Sequence, residues 1–242
     1  TYKTQRRGGV GIIGSEKKDD DVLDDVFITP NKSTLLVFTD AGQVYWLKPY
    51  KIPGSGRYSK GKPLINLLDM DKDESISTII PCEDLEAEGY FVFITRDGYT
   101  KKTEIEAFSR PRKGGIRAIR LEDGDDLVRV LRTEGDDHVL IGTAEGRAIR
   151  FHEETVRSMG RTARGVYGIK FKGEDYVVDA IKANDGTHVL TLTENGYGKQ
   201  TPVEDYRVTN RGGLGVANLN KTQKTGQVVA VRGLRQAEEL ML

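Results

Sequence analysis

The chain of 242 residues holds 37 basic and 37 acidic side chains, for a formal net charge of zero, and 31% of its residues are charged. No apolar run reaches the roughly 18 residues of a membrane span, and the polar opening, Thr1 to Arg7, is followed by no apolar signal core. Cys82 is the only cysteine, which leaves no internal disulfide, so the expectation is one soluble domain of a reducing, cytoplasmic compartment with no membrane partner.

The first patterned stretch is TQRRGGVGIIGS, residues 4–15, whose RGGxG core returns as NRGGLGVANL at residues 210–219. Weaker copies between them read SKGKPLINL, KGGIRAIRL and ARGVYGIKF. Aligned on the second glycine, the copies place Gly9, Gly61, Gly115, Gly165 and Gly213 at spacings of 52, 54, 50 and 48 residues. A period near fifty marks stacked or radial units, each too small to bury its apolar face alone. Tyr2 to Arg7 matches Tyr206 to Arg211 in spacing, so residues 1–15 read as the second half of a repeat. The acidic stretch EKKDDDVLDDVF, residues 16–27, follows as a solvated loop.

Next come apolar runs that end in T-x-x-G: LLVFTDAG, FVFITRDG, VLIGTAEG and VLTLTENG, with Thr39, Thr95, Thr143 and Thr193 and Gly42, Gly98, Gly146 and Gly196. Each continues into a short β-prone run (QVYWL, YTKKT, RAIRF, YGKQT), and a glycine able to take positive φ between two such runs predicts a β-hairpin. The runs are apolar at successive positions, which predicts strands covered on both faces. Behind each hairpin lies a polar, basic arch of 17 to 19 residues ending at a repeated glycine, a length that is usually functional in a compact domain. A charged turn and another apolar strand (ISTII, LVRVL, YVVDAI, QVVAV) complete the unit. Four strands in about fifty residues is one propeller blade. The expected division is a half blade at 1–30, blades at roughly 31–81, 82–131, 132–182 and 183–231, and the start of a further blade at 232–242, with Glu239 to Leu242 opening another hairpin.

Charge is sorted by position within the repeat. Five windows around the repeated glycines (1–15, 43–66, 99–120, 147–170 and 197–218) hold 24 Lys and Arg against 6 Asp and Glu, a net of +18, and the remaining residues carry the compensating -18. A fold that turns equivalent positions one way is therefore strongly bipolar.

The box QRRGGVG at Gln5 to Gly11 resembles the glutamine-arginine-arginine-glycine-glycine box of the C-terminal domain of the DNA gyrase A subunit, and residues 44–68 resemble the blade that follows it in that family. The resemblance covers essentially the whole chain. It implies an all-β β-pinwheel of five to six blades that exchange strands with their neighbours and bend duplex DNA around a basic rim. It further implies a parent A2B2 holoenzyme with the gyrase B subunit, associated with the nucleoid, in which ATP and Mg serve elsewhere and the wrap directs negative supercoiling. The domain itself is expected to hold no cofactor, no metal and no catalytic residue. One departure is Val10, where the family box usually carries a basic residue.

A wrapping surface needs repeated cations for phosphates and small residues where backbones approach. The candidates are Gln5, Arg6, Arg7, Gly8, Gly9 and Gly11 in the box; Lys48, Lys51, Arg57, Lys60 and Lys62 in the first arch; Lys101, Lys102, Arg110, Arg112 and Lys113 in the second; Arg147, Arg157, Arg161 and Arg164 in the third; and Lys199, Arg207 and Arg211 in the fourth. For any single one of these, solvation of a surface loop is an equally good account, and the segregation of the set is what favours a polyanion. The glycine pairs Gly8 and Gly9, Gly114 and Gly115, and Gly212 and Gly213 read as structural bulges before they read as phosphate cradles. Three dispersed histidines offer no metal-ligand spacing, Cys82 reads as a buried small residue, and Tyr45 and Trp46 as blade packing. Two other readings stay open: the equivalent domain of topoisomerase IV, with weaker wrapping, and a propeller that recognises proteins.

Overall fold

The computed structural model describes residues 27–54, 61–184 and 186–235. The box residues Gln5, Arg6, Arg7, Gly8, Gly9, Val10 and Gly11, the arch residues Arg57 and Lys60, and the expected hairpin start at 239–242 lie outside the described residues. In chain order the strands are β1 Thr34–Thr39, β2 Gln43–Leu47, β3 Ile76–Cys82, β4 Tyr90–Thr95, β5 Tyr99–Glu104, β6 Ile116–Arg117, β7 Leu127–Thr133, β8 His138–Thr143, β9 Arg147–His152, β10 Val166–Tyr167, β11 Val177–Lys182, β12 Thr187–Thr193, β13 Gly198–Pro202, β14 Val216–Ala217 and β15 Val228–Arg235.

The four T-x-x-G sequences close the hairpins β1/β2, β4/β5, β8/β9 and β12/β13. Their chemistry is local. Gly42, Gly98, Gly146 and Gly196 take φ of 74°, 83°, 78° and 79°, the left-handed region where a Cβ is penalised. Each glycine amide donates to the carbonyl of the turn threonine at 2.9–3.1 Å. The threonine hydroxyl then accepts the next amide, that of Gln43, Tyr99, Arg147 or Tyr197, at 3.2–3.3 Å. A buried amide that the turn leaves unpaired thus finds an acceptor, which is the physical reason for threonine at this position.

Three antiparallel four-stranded sheets follow, in the orders β3-β1-β2-β6, β10-β5-β4-β7 and β11-β8-β9-β14, with a three-stranded sheet β13-β12-β15. Successive sheets pack face to face. Phe38 of β1 meets Phe91 and Phe93 of β4 edge to face at 5.6 Å, while Val92 and Ile94 of the same strand face Val139 and Ile141 of β8. Leu140 then joins Val189 and Val231 in the next layer. Side chains alternate between faces with a period of two; in β1, β4 and β8 both faces are covered, which accounts for their continuous apolar runs, whereas β12 alternates buried and half-buried residues. Tyr45 and Cys82 are 4% and 0% exposed, and the Trp46 indole donates to the Phe108 carbonyl at 3.0 Å, so these three side chains are packing groups.

The fourth strand of each complete sheet is borrowed. β6 pairs with β2, β10 with β5 and β14 with β9, and in each case the short strand comes from the arch of the following repeat. The chain leaves its own hairpin, lays two residues on the far edge of the preceding sheet, and returns to its own sheet as β7, β11 or β15. At the opposite edges β3, β7, β11 and β15 pack on one another in order. The borrowed strands therefore lie on one side of the row, here termed the rim, with the returning strands on the other.

The structure corrects the register of the repeat. Gly115, Gly165 and Gly215, each just ahead of a borrowed strand, take φ of 68°, 106° and 66°; the counterpart of Gly115 and Gly165 in the last copy is therefore Gly215, not Gly213, and the spacing becomes an even fifty. Gly61 is followed by the 3-10 turn Leu64–Asn66. The turn glycines are pinned a second time by the borrowed segments. The Gly42 carbonyl accepts the amides of Ala118 and Ile119, Gly98 those of Gly168 and Ile169, and Gly146 those of Asn218 and Leu219, at 2.8–3.2 Å.

Candidate nucleic-acid interface

The basic arches run along the rim, and their cations divide into two groups with different work. The first group ties the arches down. Lys48 donates to Thr34 Oγ1 at 2.7 Å, Arg147 to the carbonyls of Leu214 and Gly215 at 2.6 and 2.7 Å, Lys199 to Asn218 at 2.8 Å, and Arg211 to Thr155 and Tyr167 at 2.8 and 3.2 Å. The Lys48 bond closes its own hairpin, and each of the others joins one repeat to a segment of another or to its own return, so these side chains fix the shape of the surface.

Lys101 and Lys102 depart from their expected role as phosphate contacts. Both are buried, at 0% and 6% exposure. The Lys101 ammonium donates to the carbonyls of Ala118, Gly160 and Arg161, the last at 2.7 Å, and lies 4.7 Å from the Phe93 ring centroid. Burial, and next the positive charge of Arg161, push its pKa down to about 7. Lys102 faces Glu153 at 3.5 Å. Glu153 is fully buried and also accepts Thr133 Oγ1 at 2.8 Å and the amides of Gly135 and Asp137 at 2.9 and 3.0 Å. Glu153→Gln replaces an acceptor with a donor in this shell and is expected to cost about 2 kcal/mol in urea unfolding; an unchanged midpoint would contradict this role.

The second group projects outward. Lys51, Lys62, Arg110, Arg112, Lys113, Arg157 and Arg207 are exposed, and their side chains make no hydrogen bond or ion pair among the described residues. Arg110, Arg112 and the half-exposed Arg161 line a groove of about 620 Å³ between the second and third arches, together with Glu104 and Glu106. Arg164 pairs with Glu122 at 2.8 Å and lies 4.6 Å from the Tyr99 ring centroid, and Tyr99 stacks on Tyr167 at 4.5 Å. The Gly212 amide is spent on the Gly168 carbonyl at 2.6 Å, and an added Cβ at Gly115 would meet the Tyr45 ring at 2.6 Å. At these two positions glycine serves close packing rather than anion capture.

Residue-based reasoning missed Arg117, Arg120 and Lys170, all exposed on or beside the borrowed strands. The signal was available in the alternation there: Ile116, Val166 and Val216 turn inward and Arg117, Tyr167 and Ala217 outward.

The family described as DNA gyrase C-terminal domain, beta-propeller, matches residues 1–30, 33–83, 89–134, 137–184 and 187–233. The chain belongs to that family. The DNA gyrase A subunit of Staphylococcus epidermidis strain ATCC 12228 is 42% identical across the whole chain, and that of Salmonella typhimurium 40%. The chain spans 27% of the length of each of these relatives. A solved C-terminal domain of DNA topoisomerase IV superposes with TM-score 0.77 at 28% identity, over 85% of this chain and 64% of that one. A solved DNA gyrase A C-terminal domain superposes with TM-score 0.75 at 24% identity, over 96% of this chain and 76% of that one. As a gyrase C-terminal domain, the chain has the all-β, propeller-like architecture expected from its repeats, and no helix among its described residues is long and apolar enough to cross a membrane.

Proposed function

We propose that this gyrase C-terminal domain is a non-catalytic module that binds duplex DNA without reading its sequence and bends it along the rim. The observation that carries the reading is the row of exposed cations on successive arches, Arg110, Arg112 and Lys113, then Arg157, then Arg207, whose side chains have no partner among the described residues, held by arches that are themselves bonded to neighbouring sheets. Such cations neutralise phosphates and release counterions, which supplies affinity but no base discrimination. Bending a site of 20 to 30 base pairs costs on the order of 1 to 6 kcal/mol, so several arches must act together, and a rigid rim spares the entropy of ordering them on binding. In the parent enzyme, read as an A2B2 assembly with the gyrase B subunit, the bent duplex gives strand passage a fixed handedness, while ATP and Mg act in other domains.

The test is duplex affinity measured over a range of salt. A linear fall of log K with log salt is expected, and the triple variant Arg110→Gln, Arg112→Gln, Lys113→Gln is expected to flatten the slope by about two to three units with little change in melting temperature. A slope near zero would refute the reading and favour a protein-recognition propeller. The TM-score of 0.77 to a topoisomerase IV domain supports a second reading, DNA binding with weak wrapping, which predicts the same salt slope and no signed change in linking number.

A further inference from the structure

On the rim, each borrowed strand sets its outward residue opposite the residue that follows a turn glycine: Arg117 opposite Gln43, Tyr167 opposite Tyr99 and Ala217 opposite Arg147. Of these three pairs only the middle one is aromatic. Its rings stack with centroids 4.5 Å apart and 24° between their planes. The Arg164 guanidinium lies 4.6 Å from the Tyr99 centroid and the Lys170 ammonium 5.5 Å from the Tyr167 centroid, so guanidinium, ring, ring and ammonium follow one another. The backbone beneath them is fixed. The Gly168 amide donates to the Gly98 carbonyl at 2.8 Å and the Lys170 amide to the Gly213 carbonyl at 2.9 Å, while Arg211 Nη1 donates to the Tyr167 carbonyl at 3.2 Å.

The Tyr99 O–H donates to the Tyr167 oxygen at 2.9 Å, and this bond, with burial next, holds the Tyr99 phenol above its ordinary pKa. Two phenols that share one bond keep one proton over. Here it belongs to Tyr167, 42% exposed against 9% for Tyr99, and it meets no acceptor among the described residues. Accepting one hydrogen bond polarises a hydroxyl toward donating another. Arg164 is paired with Glu122 at 2.8 Å, whereas Lys170 is exposed and its ammonium makes no hydrogen bond or ion pair among the described residues.

Resting on the DNA-binding reading above, the geometry points to a seat for one backbone phosphate of the duplex at this stack, one oxygen taken by the Tyr167 hydroxyl and another by the Lys170 ammonium. The stack holds both donors in place before the duplex arrives, which spares part of the ordering cost. One donor is neutral. The seat therefore supplies affinity that salt does not remove, in contrast to the cations of the arches, which act through counterion release.

The experiment is duplex affinity of the 242-residue chain over a range of salt, with Tyr167→Phe, Lys170→Gln and the double variant. Tyr167→Phe keeps the ring and is expected to lower affinity about tenfold at every salt concentration, with the slope of log K on log salt unchanged. Lys170→Gln is expected to flatten that slope by about one unit. Because both groups hold the same phosphate, the double variant is expected to lose less than the two single losses combined. Tyr99→Phe removes the bond between the rings but keeps the Tyr167 hydroxyl, and is expected to retain most of the affinity. Unchanged affinity in Tyr167→Phe, an equal loss in Tyr99→Phe, or additive losses in the double variant would overturn the proposal alone. A wild-type chain that fails to bind duplex would overturn it together with the DNA-binding reading beneath it.

Discussion

Between pH 7 and pH 10 the chain is expected to gain stability, by up to about 1.4 kcal/mol per pH unit, and Lys101→Met is expected to remove that gain. The folded state holds the Lys101 pKa at about 7, against an ordinary value of 10.5. Below pH 7 both states carry the proton and the cost of the buried charge is constant. From pH 7 to the unfolded value only the unfolded chain stays protonated, so raising the pH favours folding. Burial, and with it the charge of Glu74, raises Tyr45 to about 12. Its contribution is present below pH 10 and is lost as pH rises through about 12, which sets the upper end of the useful window. Burial likewise pushes the Cys82 thiol up, and because both proteins share these groups, the difference between them isolates Lys101. Urea midpoints at four pH values measure it; parallel curves for the two proteins would show that Lys101 is not the buried cation described here.

The largest single-residue losses are expected at the turn glycines under borrowed segments. Gly98→Ala would set a Cβ 2.6 Å from the Ile169 carbonyl oxygen, and Gly146→Ala would drive one into the Leu219 carbonyl. Gly196 occupies the same turn position with nearly the same φ, 79°, but a Cβ there meets nothing within 4 Å. Gly196→Ala therefore isolates the conformational penalty, about 1 kcal/mol. Gly98→Ala and Gly146→Ala add a backbone collision that only displacement of the borrowed segment relieves, for a loss of more than about 3 kcal/mol. Denaturant unfolding of the three variants decides the point, and equal losses at all three would mean that the borrowed segments do not pin the turns. Because the same segments carry the arches, Gly98→Ala is also expected to weaken duplex binding.

These two cases show why part of the fold could be read from the sequence and part could not. The T-x-x-G hairpins were legible because threonine and glycine act within five residues of each other. Strand exchange was implied by the family resemblance alone and not by the pattern of residues, because Ile116–Arg117 is too short to show a period and its partner, β2, lies about seventy residues earlier. The register erred between Gly213 and Gly215 because three glycines stand within four residues, two of them with positive φ, and only the strand that starts at Val216 marks Gly215. Lys101 and Lys102 read as surface cations because KKT carries no alternation, yet the third arch crosses that strand and covers both. Arg110, Arg112, Lys113, Arg157 and Arg207 were legible for the opposite reason: they lie on arches whose own bonding is done by other side chains.

The central claim is a wrap of defined hand, and the most direct measurement is the linking number of a nicked plasmid religated in the presence of this chain. The account predicts a signed shift that grows with protein concentration and declines in the Arg110→Gln, Arg112→Gln, Lys113→Gln variant. Duplex binding with no shift at saturating protein would contradict it, leaving a domain that coats or bends DNA without fixing handedness.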